Sequence, residues 1–315
     1  MNFLITGGAG FLGAALSNRL FKQGHHVRVL DDLSTGDPDS LDPEIHFTRG
    51  DINDRPKLWT LLQDIDCIYH LAARVSVSES ILFPRDYNEV NVGGTATLME
   101  AARDAGTPRV ILASSGAIYG DQDKPLLTES MQPHPGSPYA VSKLASEWYV
   151  RTIGALSGIE TICLRIFNAY GPGQCIPPSH PPVIPNFIHQ AMQDGTLIFH
   201  GDGNQTRDYV YVDDVINALV SAATVQGISG QMINVGSGTE TSIRELARLV
   251  IEITGGKPEE VYNPRIGSGV SRMRADIALA KKKLGYAPSI SLEKGLRFTM
   301  ENDPQFTNGH NGTTH

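Results

Sequence analysis

The chain has 315 residues and a formal net charge of −8, a balance that repels phosphate backbones and speaks against general binding of nucleic acid or anionic membranes. Its 40% hydrophobic and 19% charged residues are those of a folded protein with ample core, one large domain or two modest ones. No apolar run approaches the ~18 residues of a membrane span, and the amino terminus enters a strand-like run at once, "MNFLITGG", without a charged leader. Cys67, Cys163 and Cys175 are an odd set without metal-like spacing, so the compartment expected is a reducing cytoplasm.

Short apolar runs at 2–6, 27–31, 45–48, 67–72, 109–114 and 160–167 predict strands. Between them, helix-period segments fall at 11–23, 55–63, 88–105 and 138–157. Apolar strands separated by helices predict an α/β fold, a doubly wound parallel sheet of Rossmann type buried on both faces. Ligands in such sheets bind at the carboxyl ends of the strands. Beyond 167 the pattern loosens: Pro172, Pro177, Pro178, Pro181, Pro182 and Pro185 interrupt regular structure, and helix-like runs follow at 213–225, 242–254 and 292–302. The expected division is a dinucleotide domain at 1–165, a smaller and partly interleaved C-terminal substrate-binding domain at 166–305, and a flexible tail at 306–315.

"LITGGAGFLG" spaces Gly7, Gly10 and Gly13 as G-x-x-G-x-x-G between a strand and a helix. Glycine there lets the backbone approach a pyrophosphate, and the helix N-terminus offers it free N–H groups. The second strand ends in Asp31, whose carboxylate can accept ribose hydroxyls; with no arginine after it in "DDLSTG", NAD is preferred over NADP. Asp51 of "GDI" reads equally well as an adenine contact or as an acid opening the next helix. "HLAA" (70–73) ends the fourth strand in small residues, and His70 reads as a satisfied core histidine.

"ASSGAIYG" (113–120) puts Ser114 and Ser115 at the end of the fifth strand. On the next long helix, "SPYAVSKLASE" sets Tyr139 one turn before Lys143. Residues four apart share a helix face, and a nearby cation favours phenolate over phenol. A hydroxyl, a phenol and an ammonium at the strand ends suit a proton-and-hydride site.

From these pieces, with "NVGGT" (91–95), "LRIFNAYGPG", "GDGNQTRDYVYVDDV" and "KKKLGYAPS" in order over almost the whole chain, the sequence resembles the extended short-chain dehydrogenase/reductase family. It is most similar to that family's nucleotide-sugar 4-epimerases of the UDP-galactose type. The resemblance implies an NAD-dependent enzyme that interconverts UDP-glucose and UDP-galactose through a transient 4-keto sugar. Tyr139 would be the base, Lys143 would lower its pKa and bind the nicotinamide ribose, and Ser115 would hold the sugar 4-oxygen. It implies that Phe11, Leu12, Asp32, Leu33, Ser34, Thr35, Gly36, Ile52, Leu71, Ala72, Ala73, Asn91 and Ser114 join Gly7, Gly10, Gly13, Asp31 and Asp51 around NAD. Asn168, Val183, Arg207 and Arg265 would contact the UDP-sugar, the two arginines clamping its diphosphate, and the family expectation is a homodimer.

Related dehydratases and decarboxylases place acids just after the position of Ser115, where this chain has Gly116 and Ala117. Uronate epimerases tend to carry an arginine after "YGP", where this chain reads "GPGQCIPPSH". A neutral hexose is therefore favoured. An N-acetylhexosamine or glucuronate epimerase, or a net reductase or dehydratase, stays as the alternative, and UDP is not separated from dTDP. Ser268 stands where the pattern has Asp, with one residue inserted, and Met273, near the position facing the sugar's C2 substituent, reads as core packing.

Overall fold

The computed structural model describes residues 1–264 and 270–307. Its centre is a parallel sheet of seven strands: β1 (Asn2–Thr6), β2 (His26–Asp31), β3 (His46–Arg49), β4 (Cys67–His70), β5 (Arg109–Ser115), β6 (Glu160–Ile166) and β7 (Gln231–Val235). In space they run β3-β2-β1-β4-β5-β6-β7, every neighbouring pair parallel. The order reverses beside β1, which opens a crevice between the carboxyl ends of β1 and β4.

Side-chain alternation along the strands divides the interior into two cores. Phe3 and Ile5 of β1, with Ile111 and Ala113 of β5, face the core that holds Leu16, Leu20, Val215 and Leu219 from helices Phe11–Lys22 and Val212–Thr224. Leu4, Val110 and Leu112 face the other core, with Leu58, Leu98, Met99 and Val150. A strand buried on both faces needs apolar residues at every position rather than every second one, which is why these runs read as continuous hydrophobic stretches.

Six of the strands are those expected, the first unchanged and the other five shifted by one or two residues at their ends. The fourth stops at His70, and Leu71–Ala73 leave the sheet as extended loop. The seventh is absent from the sequence reading, because the buried Asn234 breaks the apolar run of "QMINV". After Ile166 the chain builds short parallel pairs, Asn168–Tyr170 with Tyr209–Tyr211 and Thr196–His200 with Glu259–Asn263, yet comes back to supply β7.

Asp208 fastens this second half. Fully buried, it accepts hydrogen bonds from the backbone N–H groups of Ser237 (2.6 Å), Gly238 (3.0 Å) and Ala275 (3.0 Å). Burial pushes its carboxyl up, and these bonds oppose the shift. One expectation is corrected at the end of the chain: residues 306 and 307 are not part of a flexible tail. Pro304–Thr307 form a helical turn that buries Phe306, and Asp303 caps it from a buried position. The rest of that segment, 308–315, lies outside the described residues.

Candidate active site

The glycine turn sits in the crevice. Gly7 has φ +69°, and a Cβ there would lie 2.5 Å from the backbone nitrogen of Ala72, just past β4. At Gly13 a Cβ would lie 2.0 Å from the Gly7 carbonyl oxygen, so only glycine lets helix Phe11–Lys22 close on β1. Gly10 is different. Its nearest neighbour would be 3.4 Å away, and as N-cap it offers no side chain to the first-turn amides, which have no acidic residue beside them either. Open amides at the positive end of a helix fit the diphosphate of a dinucleotide.

Asp31 closes the other side of the turn. Its Oδ2 accepts from Ala9 N (3.0 Å) and its Oδ1 from Leu33 N (2.9 Å), which leaves lone pairs for a ribose diol. Leu33 is held at φ +63°, a conformation that costs a non-glycine residue free energy and needs support from its surroundings. Gly36 belongs here too, since a Cβ there would stand 2.9 Å from Asp31 Oδ1. Asp32 accepts from Ser34 N, shaping the loop that carries Thr35. Asp51 is exposed and accepts from Asn53 N at 2.7 Å, the geometry of an acid opening a turn. Ile52 is buried against Gly94, where a Cβ would meet it at 2.4 Å.

At the carboxyl end of β5 the side chains part by alternation. Ser115 caps the short turn Gly116–Tyr119, accepting from Ala117 N, and its hydroxyl stands near enough to the Tyr139 phenol to draw its pKa down. Tyr139 is the second residue of helix Pro138–Ser157, which Ser137 caps by accepting from Ala140 N. The buried face of this helix carries Tyr139, Lys143, Glu147, Val150 and Gly154, the spacing of one stripe. The Tyr87 ring stands edge-on to that of Tyr139, with centroids 6.4 Å apart.

Here the electrostatics differ from the sequence reading. Burial pushes the Tyr139 phenol up from its ordinary value, and the group that draws it back is Ser115. Lys143 instead donates through Nζ to the Ala113 carbonyl at 3.0 Å. Burial pulls its ammonium down to about 8, and Glu147 opposes that fall. Helix spacing alone put the cation beside the phenol; the packing of the helix on β5 hands it to a backbone carbonyl. The phenolate retains support from the helix N-terminus, in whose first turn Tyr139 lies.

Ser114 points to the opposite side of β5 from Ser115, and its hydroxyl donates to Glu147 Oε1 at 2.5 Å, so what it offers the crevice is its backbone. Asn91 lies in a π turn, Asn88–Gly93, that interrupts the helical run before Gly94–Ala105. Its amide donates to Arg74 O (3.0 Å) and Ser142 Oγ (2.8 Å) and accepts from Arg74 N (2.8 Å). Its carbonyl accepts from Thr95 and Ser146. Asn91 thus joins the loop after β4 to the helix of Tyr139. His70 is satisfied, between Thr6 Oγ1 (2.8 Å) and Thr95 Oγ1 (2.9 Å), and burial takes it down to about 3, so it is neutral.

On the side facing the second half, Asn168 is exposed just beyond β6, and Val183 opens helix Val183–Met192, partly buried against the core. Arg207 donates through Nη1 to the carbonyls of Thr206 and Val270, both at 2.8 Å. Arg265 and Ser268 lie outside the described residues. Met273 is buried in the core. Sequence reasoning missed Glu147, Arg165, Tyr119 and Asn234, a buried chain described below; of these, Glu147, one turn beyond Lys143, is the one that helix spacing could have found.

The model of the NAD dependent epimerase/dehydratase family matches residues 3–236. A UDP-glucose 4-epimerase of Mycolicibacterium smegmatis is 39% identical over 310 residues, covering 96% of this chain and 98% of the relative. Among solved structures, a UDP-glucose 4-epimerase of Thermotoga maritima with UDP-glucose superposes with a TM-score of 0.92 at 35% identity, covering 98% of this chain and 99% of that one. A UDP-glucose 4-epimerase of Thermus thermophilus in complex with NAD superposes with a TM-score of 0.88 at 31% identity, covering 95% and 97%. With this sheet, this glycine turn and a match over most of its length, the chain belongs to the NAD dependent epimerase/dehydratase family.

Proposed function

We propose that the chain is an NAD-dependent UDP-sugar 4-epimerase that interconverts UDP-glucose and UDP-galactose. The observation that carries this reading is the convergence of Ser115, at the carboxyl end of β5, with Tyr139 and Lys143 on the buried face of helix Pro138–Ser157, where Lys143 reaches back to the Ala113 carbonyl. Tyr139 takes the proton of the sugar 4-hydroxyl while Ser115 holds the same oxygen. NAD, which the glycine turn and Asp31 would hold, would supply the hydride acceptor and donor for C4. Lys143, fixed on the Ala113 carbonyl, keeps a positive charge near the phenol as the proton moves. The 4-keto sugar turns about its diphosphate link, and Tyr139 then gives the proton back to the oxygen on the other face. Arg207 and, by sequence, Arg265 hold the diphosphate through the turn, so binding energy remote from C4 retains the intermediate.

The open amides around Gly10 would take the NAD diphosphate, and Asp31 would take its adenosine ribose. Residues 1–165 with β7 form the NAD side, and the remainder of 166–305 forms the sugar side. Gly116 and Ala117 supply no acid for elimination, and the loop after "YGP" supplies no arginine for a uronate, which favours a neutral hexose. The purified protein given UDP-galactose, without added coenzyme, is expected to form UDP-glucose catalytically. Parallel incubations with UDP-N-acetylgalactosamine and UDP-glucuronate set the substrate range. Conversion of UDP-glucuronate alone would overturn the neutral-hexose reading, and stoichiometric consumption of NAD(P)H would replace the epimerase by a reductase.

The reading includes a homodimer. Val77, Ile81, Leu82 and Phe83 on one short helix and its end, with Val141, Trp148 and Tyr149 on the neighbouring Pro138–Ser157, are exposed apolar side chains on packed elements. Such a patch marks an association surface. Trp148→Glu is expected to shift the sedimentation coefficient from dimer to monomer; a wild-type protein that sediments as a monomer would remove this part. No described helix is long and apolar enough to cross a membrane. With Cys67 and Cys163 buried as free thiols, the reading places the protein in a reducing cytoplasm.

A further inference from the structure

Glu147 touches none of the groups that the proposed reaction transforms, yet the groups that do are fastened around it. It accepts from Ser114 Oγ at 2.5 Å and, bidentate, from Arg165 Nε (2.9 Å) and Nη2 (2.8 Å). It lies four residues after Lys143 on the same buried stripe. Lys143 and Glu147 therefore anchor on Ala113 and Ser114, consecutive residues of β5, directly before Ser115. Arg165 continues the chain through Nη1 to the Tyr119 hydroxyl (2.9 Å), which donates to Asn234 Oδ1 at 2.7 Å. Tyr119 ends the turn that Ser115 caps, and Asn234 reaches the carbonyls of Leu127 (2.8 Å) and Asp276 (3.3 Å).

We propose that Glu147 is a positioning residue for the epimerase chemistry: its carboxylate keeps the Lys143 ammonium charged and in place, and pins the end of β5 that carries Ser115. The kinetic part rests on the epimerase reading; the effect on Lys143 does not.

The surroundings of Lys143 leave this work to Glu147. His70 on β4 is neutral. Tyr139 on the same helix and Tyr87 beside it are phenols pushed up by burial, and Cys163 on β6 is a thiol pushed up likewise. Arg165 on β6 is a cation already held bidentate by Glu147. Arg151, further along the helix, is a second cation acting on Cys163. A buried ammonium loses its proton unless a charge of opposite sign stands near, and Glu147 is the acid that supports this one.

The competing account is that Glu147 only neutralises Arg165. Glu147→Gln, Glu147→Asp, Arg165→Met and the double variant Glu147→Gln/Arg165→Met separate the two. Lys143 is titrated directly by its 13Cε resonance, assigned by its loss in Lys143→Arg, alongside the pH profile of UDP-galactose turnover. In Glu147→Gln the Lys143 midpoint is expected to fall by about one unit or more, with the basic limb of the turnover profile moving by the same amount. Glu147→Asp restores most of both. The double variant relieves the unpaired buried cation and recovers stability while the midpoint stays low. A double variant with the wild-type midpoint overturns the proposal even if Glu147→Gln does not fold. A wild-type protein without turnover overturns the epimerase reading, while the resonance still decides what Glu147 does to Lys143.

Discussion

The glycine turn after β1 and the stripe Tyr139–Lys143–Glu147 are the two halves of the proposed site, and they are built from different material. The turn is backbone: its partners are amides and carbonyls, and its residues matter for the atoms they lack. The stripe is side chain: a phenol, an ammonium and a carboxylate, all buried, the last paired with the Arg165 guanidinium of β6. The turn tolerates no added volume, the stripe no unmatched charge. Close packing punishes an extra methyl where backbones touch, and low dielectric punishes a lone charge.

Substitutions sharpen the contrast. Tyr139→Phe, which removes the proton carrier and leaves the packing, is expected to cut epimerase turnover by about 10²–10⁴-fold with NAD retained; near wild-type rates would remove the base assignment. Arg165→Ala leaves Glu147 buried without its partner, and urea titration should show a loss of about 3–5 kcal/mol. A loss no larger than that at an exposed site would mean that water or a neighbouring cation replaces the guanidinium. Raising the pH through the Lys143 value, about 8, deprotonates the ammonium. Turnover should then fall about tenfold per unit above that point, and a profile flat to pH 10 would show that its charge is not needed. On the backbone side, Gly13→Ala is expected to cost about 1–3 kcal/mol by overpacking, whereas Gly10→Ala stays within about 0.5 kcal/mol of wild-type stability and weakens NAD binding instead. Equal effects of the two on stability would dissolve the distinction between a packing glycine and a ligand-facing one.

Much of this was legible beforehand, and what was legible was local. Strands buried on both faces announce themselves as unbroken apolar runs, and a glycine turn between strand and helix is a pattern of neighbours. The stripe was half legible. The four-residue spacing placed Tyr139 and Lys143 on one helix face, but which acceptor the ammonium would meet depended on β5, some thirty residues earlier in the chain. Ser114 and Ser115 look alike in sequence; alternation along β5 sends one to Glu147 and the other to Tyr139. β7 was illegible because its buried Asn234 interrupts the apolar run, and that asparagine's side chain is satisfied by Tyr119, Leu127 and Asp276, none of them near it in sequence.

The sequence by itself determined the alternation of strand and helix, the glycine turn with Asp31 twenty-odd residues on, and a phenol, an ammonium and a carboxylate at successive turns of one helix. Each follows from backbone geometry acting over a few residues. The tertiary structure decided the partners: Lys143 with Ala113 and Glu147, Ser114 with Glu147, Arg165 with Tyr119, and the return of β7 to the sheet. Those choices belong to burial, which makes a charge or a polar atom seek whatever compensation lies within hydrogen-bond reach, however far away it stands in the chain.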